Sequence, residues 1–98
     1  MRVEILDQAE DDLIEGFHFY EAQRPGLGSS FLVSLYEDID SLRVNGGIHR
    51  KDYKDYHRLL VKRFPFAVFY KVMEGTVFVH AVVDCRRDPA WIRKRLKK

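Results

Sequence analysis

The sequence carries a single cysteine, Cys85, so it has neither an internal disulfide nor a CxxC pair for structural zinc. A secreted disulfide scaffold and a zinc ribbon are both excluded, and reducing surroundings fit best. It also has no long apolar run of the kind that a signal peptide or a membrane span requires. The opening Met1-Arg2-Val3-Glu4-Ile5 alternates and is followed at once by acids. A cytoplasmic location with no membrane partner is therefore expected. No GxxxxGK phosphate loop and no serine nucleophile elbow occur, and His18, His49, His57 and His80 lack a metal-ligand spacing. No metal and no cofactor are expected. What is present is a 46% hydrophobic content with seven Phe, five Tyr and one Trp in 98 residues. That suffices for one modest core, spanning residues 1–98 as a single domain, and argues against disorder.

Charge of one sign is scarce in each half. Residues 1–49 hold only Arg2, Arg24 and Arg43 against ten acids, a net of −7, whereas residues 50–98 hold fourteen Lys or Arg against five acids, a net of +9. The overall +2 hides this split. A basic surface that meets nucleic acid or an acidic protein segment is one reading, and a solvated face whose charges mix on folding is the other.

Residues Val3–Leu6 form a short edge-strand candidate, and Asp7 with Glu10 three places on resembles a capping box. Asp11 and Asp12 then favour the positive end of a helix and do not form a paired carboxylate site. Ala9, Leu13, Gly16, Phe17 and Tyr20 make one apolar stripe, ended by Arg24-Pro25-Gly26. A second helix starts near Gly28 or Ser29, carries Phe31, Leu32, Leu35, Tyr36, Ile39 and Leu42, and stops at Asn45-Gly46-Gly47. Only Pro25–Gly28 separates the two stripes, so they predict an antiparallel helical hairpin.

After an irregular stretch over Ile48–His57 the period changes to two. Three strands are expected around Leu59 and Val61, around Phe66–Val72, and around Val77–Val83, paired consecutively and antiparallel. The fold class is α+β, with an N-terminal helical hairpin packed on a small antiparallel β-sheet. Leu13, Phe17, Phe31, Leu35, Val61, Val68 and Val79 are the expected shared core. The other sheet face carries Arg58, Lys62 and Lys71 among Leu60, Phe69, Phe78 and Val82, and needs cover from the C-terminal segment or from a partner chain. The tail forms one or two helical turns from Trp91 and bears Arg93, Lys94, Arg95, Lys97 and Lys98 without an acid.

The chemistry-bearing residues are mostly arginines. Arg58 and Lys62 share one side of a strand, and the chain after the last strand carries Arg86 and Arg87 past the end of the sheet. Arginine's planar fork holds phosphate or carboxylate through two parallel bonds. Metal-free RNA cleavage would need such clamps with a proton acceptor and a donor, roles open to His80, His57 or Tyr56. The plainer reading makes His80 a core-edge imidazole and Tyr56 a packing residue. Trp91 offers a face to a nucleic-acid base or anchors its own short helix. Cys85, beside two arginines, is either thiolate-prone or structural.

Several segments together resemble the RelE/ParE superfamily of small toxins from bacterial type II toxin-antitoxin pairs, and more closely its ParE or plasmid-stabilisation branch. They are Phe19-Tyr20-Glu21-Ala22-Gln23, the turn Pro25-Gly26-Leu27-Gly28 followed by Phe31, the pair Arg58-Leu59-Leu60-Val61 and Phe64-Pro65-Phe66-Ala67-Val68-Phe69-Tyr70, and the run from Ala81-Val82-Val83 through Arg87-Asp88-Pro89 to Trp91. The resemblance implies a growth-inhibiting toxin neutralised by a cognate acidic antitoxin in a toxin-antitoxin hetero-oligomer. The ParE-like branch poisons DNA gyrase, and the RelE-like branch cuts messenger RNA on the ribosome. Whether the chain is an enzyme therefore stays open. For a nuclease the candidates are Arg58, Arg87 and His80, but Trp91 stands where the nucleases carry a tail tyrosine and Asp84 where many relatives carry histidine. The antitoxin is expected on Leu60, Lys62, Phe69, Lys71, Phe78 and Val82, and the target on Arg86, Arg87, Trp91, Arg93 and Arg95. A third reading is a non-toxic basic protein that contacts nucleic acid.

Overall fold

The computed structural model describes residues 1–97. The chain runs β1 (Arg2–Ile5), α1 (Asp7–Gln23), α2 (Leu27–Asp40), α3 (Leu42–Asn45), β2 (Lys51–Tyr53), β3 (Tyr56–Leu60), β4 (Phe66–Met73), β5 (Thr76–Asp84) and α4 (Pro89–Leu96). The strands form one sheet in the order β1-β5-β4-β3-β2. β2 to β5 pair antiparallel, as their short connections require. β1 lies parallel to β5, with Ile5 opposite Val79, a pairing made possible by the long intervening chain of α1–α3 and β2–β4. The sheet is thus mixed and not wholly antiparallel.

The helical hairpin forms as the stripes predict, and its turn is stitched by a side chain. α1 ends where Arg24 turns extended, and Gly26, at φ +88°, takes a left-handed conformation as the cap of α2. The Glu21 carboxylate then accepts from the N–H groups of Gly26 and Gly28, at 3.0 and 2.9 Å, and so supplies partners to the start of α2. A Cβ at Gly28 would lie 2.7 Å from the Phe17 carbonyl oxygen, and one at Gly16 would lie 2.5 Å from the Phe31 ring. Hydrogen at both positions lets the helices touch. At the start of α1 the capping box does not form: Asp7 is already helical, Leu6 is the cap without a side-chain bond, and the Glu10 N–H donates to the Leu6 carbonyl at 3.0 Å.

The core lies between the hairpin and one sheet face. Leu13, Phe31, Leu35, Val61, Val68 and Val79 are all buried there, while Phe17, placed at the helix contact, is only partly covered. Phe31 meets Phe64 and Phe66 with ring centroids 5.3 and 5.0 Å apart, which closes the core at the turn end.

Two features depart from the pattern of the sequence. The stretch read as irregular holds the β2–β3 hairpin, turning through Lys54 at φ +51°. β5 also carries a bulge, since Phe69 pairs with Ala81 but Tyr70 pairs with Val79. The extra residue reverses the alternation. Val77, Val79 and Val82 consequently face the hairpin, whereas Ala81 and Val83 face α4.

Candidate functional site

The site forms where β5 ends and the chain turns into α4. Cys85 donates its N–H to the Pro65 carbonyl at 2.9 Å, and Arg87 donates its own to the Asp84 carbonyl at 3.0 Å, which fixes the turn. Asp88 caps α4 by accepting from the Ala90 N–H at 3.1 Å, and Pro89 begins the helix. Arg86 folds back on Asp84, with Nη2 to Oδ2 at 2.6 Å and Nε to Oδ1 at 3.0 Å. This fork holds the Asp84 carboxyl below its ordinary range.

The far end of α4 is fastened through polar contacts. Leu96 is buried on the sheet and its carbonyl accepts from Tyr56 Oη at 3.1 Å. Arg95 donates to Asp12 at 2.7 Å and to the Gln8 carbonyl at 3.1 Å. The same Asp12 oxygen accepts from the Val82 N–H at 2.9 Å, on the part of β5 that β1 does not reach. Burial pushes the Asp12 carboxyl above its ordinary range, outweighing the Val82 bond and the Arg95 charge. Arg95, expected to face a target, is therefore a structural tie, with its side chain only 15% exposed.

Two clefts flank the start of α4. One, of about 240 Å³, lies between α1 and α4 and is lined by Phe19, Val82, Arg87 and Trp91. Phe19 and Trp91 are 56% and 40% exposed, a large share for aromatic rings. The other, of about 150 Å³, lies between α4 and the β2–β3 hairpin, lined by Asp52, Tyr53, Arg58, Arg87 and Arg93. Asp52 is 3.8 Å from the Arg58 guanidinium, and the Arg87 guanidinium lies 4.1 Å over the Trp91 ring. Among the described residues no ion pair engages Arg87 or Arg93.

Arg58 and Arg87 thus share one cleft, but the proton carriers suggested for them lie elsewhere. His57 stacks on Tyr70 on the hairpin face, with centroids 5.0 Å apart, so that it points away from its neighbour Arg58. His80 packs edge-on against Tyr56 at 5.1 Å and lines neither cleft. Burial, with Lys71 and Arg95 nearby, pushes its imidazole below the ordinary value and keeps it neutral at pH 7. The Tyr56 hydroxyl is engaged by Leu96, and burial raises its pKa. Among the described residues no group of three His, Cys, Asp or Glu side chains is placed to hold a metal.

The six residues expected to receive a partner do not form one open groove. Val82 lies under the hairpin because of the bulge, and Phe69 is buried under α4 together with Ala67, Ala81 and Val83. Leu60, which is 54% exposed, and Lys62 remain open at one end of the sheet. Phe78 and Lys71, both partly buried, lie at the other. Ile92 and Leu96 provide the cover between them, and Trp91, the expected anchor of the tail, stays at the rim. Asp52 and Tyr53 are cleft residues that the sequence pattern missed, since their hairpin has three residues in β2 and no alternation to read. A His49–Tyr70 contact of 2.6 Å, with the Gly47 N–H donating to the same hydroxyl at 3.1 Å, was equally invisible.

The family model described as the ParE toxin of type II toxin-antitoxin system, parDE, matches residues 3–89. No curated protein matches the sequence significantly. Among solved structures, a chain of the chromosomal ParDE TA system from P. aeruginosa superposes with a TM-score of 0.78 at 18% identity, covering 86% of this chain and 95% of that one. At that identity the likeness is one of fold. No helix among the described residues is long and apolar enough to cross a membrane.

Proposed function

This chain belongs to the ParE toxin family of type II toxin-antitoxin systems, and from that membership we propose that it is a toxin held inactive by a cognate acidic antitoxin and directed at DNA gyrase. The observation that carries the choice of target is the content of the arginine cleft. Arg58, Arg87 and Arg93 offer clamps for an anion, yet no histidine accompanies them, and Tyr53, Asp52 and Cys85 are the other titratable side chains in the lining. Cleavage of RNA by its own 2′-hydroxyl needs a base and an acid within hydrogen-bond reach of the scissile group. A cleft rich in clamps, whose carboxylate Asp52 is held 3.8 Å from Arg58, fits a protein that binds its target better than one that hydrolyses it. The target-facing residues are then Arg86, Arg87, Trp91 and Arg93 around the start of α4.

For the antitoxin we propose a tail that folds on contact across the sheet ends left open beside α4. Leu60 and Phe78 supply apolar area, and Lys62 and Lys71 select for acidic residues. Two assays with purified toxin test the target: gyrase supercoiling with a probe for trapped DNA breaks, and ribosome-programmed messenger cleavage mapped by primer extension. Gyrase inhibition without codon-associated cuts is expected, and cuts without any gyrase effect overturn the proposal. Co-expression with the neighbouring reading frame, followed by calorimetry, tests the partner. Lys62→Glu is expected to weaken binding most at low salt, where attraction is least screened.

A further inference from the structure

We infer that the cleft between α4 and the β2–β3 hairpin is a binding site for a backbone phosphate of double-stranded DNA, formed by Arg58, Arg87 and Arg93. This deepens the reading of the chain as a gyrase-directed toxin, because gyrase holds duplex DNA and a toxin bound there would lie beside it. Three guanidinium groups border about 150 Å³ of space, and the only carboxylate that the described residues bring to the lining, Asp52, stands 3.8 Å from Arg58. The cleft keeps a net positive charge, and an entering anion would relieve the repulsion among its arginines. Its size is well below the roughly 300 Å³ at which small-molecule pockets begin. A single phosphate of a longer chain fits it better than a whole nucleotide does. Lys51, Lys54 and Lys94 are exposed on the elements that border it, so a strand of phosphates would continue to meet positive charge on leaving the cleft.

The aromatic residues nearby favour a duplex over a single strand. Proteins that bind single strands stack the bases on open aromatic faces. Here the Arg87 guanidinium lies 4.1 Å over the Trp91 ring and the Lys54 ammonium 5.4 Å over Tyr53. Both rings have a face taken by a cation, and the site offers charge and forks in place of stacking platforms. That combination reads the phosphate backbone, which carries no sequence information.

The test uses the full chain, freed of antitoxin, and fluorescence anisotropy with a labelled 20-base-pair duplex at several salt concentrations. Salt-dependent binding without sequence preference is expected. The double substitution Arg58→Ala with Arg93→Ala, which strips two of the three arginines from one phosphate, is expected to weaken it about tenfold and to lower the slope of log K against log salt by up to about 1. Circular dichroism checks that the fold survives, and Arg58→Lys with Arg93→Lys, which keeps charge but removes the forks, is expected to fall between. Arg43→Ala, on α3 in the acidic half, is expected to change nothing. No binding at micromolar protein, an unchanged salt slope in the double variant, tighter binding to single-stranded RNA of equal length, or displacement by submillimolar ATP would each overturn the inference. Gyrase is tested separately with the same variants. Duplex binding without gyrase inhibition removes the gyrase reading and leaves the phosphate site, whereas gyrase inhibition without duplex binding removes the site alone.

Discussion

The two faces of the sheet are covered by different means. On one face a hairpin of two long helices buries Leu13, Phe31, Leu35, Val68, Val77, Val79 and Val82, and its cohesion comes from apolar area. On the other, eight residues of α4 cover Phe69 and three small neighbours with Ile92 and Leu96. That face leans on polar ties, among them the Tyr56 bond to Leu96 and the Arg95–Asp12 pair. The first arrangement maintains the fold, and the second leaves charged side chains exposed at its edges. A small toxin domain can carry a strongly basic surface because the apolar face opposite does most of the stabilising.

Stability measurements can break this comparison. Phe31→Ala should cost about 3–5 kcal/mol, since it empties the aromatic cluster that closes the hairpin face at its turn end. A denaturant melt showing less than about 1 kcal/mol would contradict a hairpin-centred core. Leu96→Ala should cost less, about 2 kcal/mol. Its effect should appear as weakened hydrogen-exchange protection in α4 while the hairpin stays protected, as expected of a locally opening unit. Equal weakening in both regions would show that the faces unfold as one.

A smaller effect concerns pH, and it samples both faces. His49 on the hairpin side and His80 on the α4 side are both pushed by burial below the ordinary value of 6.5. A depressed folded value gives stability that is present above pH 6.5 and lost as pH falls through the folded values. The melting temperature should therefore drop between pH 7 and pH 5, with His49→Gln and His80→Gln each flattening part of the slope. No change in slope for His49→Gln would separate its bond with Tyr70 from stability. The smallest stability effect expected is that of Trp91→Ala, under about 0.5 kcal/mol for a residue at the rim. If the proposed gyrase target holds, the same substitution should nevertheless reduce gyrase inhibition, and a large drop in stability would return Trp91 to the role of an anchor.

Much of the helical half was legible because its signals are local. The stripes of Ala9, Leu13 and Tyr20 and of Phe31, Leu35 and Ile39 repeat at the helical period, and Pro25-Gly26 breaks the chain between them. The arginines of the cleft were legible as residue types: Arg58, Arg87 and Arg93 stand out by charge and position. Their partners were not, because Asp52 and Tyr53 sit in a three-residue strand too short to show a period. Arg95 is misleading for the same reason in reverse, since nothing near it in the chain shows that Asp12, 83 positions away, waits to pair with it.

The sequence by itself determined the helical hairpin, the three strands that follow it as β3 to β5, and the separation of charge, because periodicity, turn chemistry and composition act over a few residues or over none. The tertiary structure alone decided which face each strand residue occupies. One bulged residue in β5 moved Val82 from the expected partner surface to the core. It likewise decided that α4 divides the basic face and gathers three arginines beside a hairpin. The physical reason is that strand register and helix docking are set by contacts between distant segments, whose energies no local pattern records.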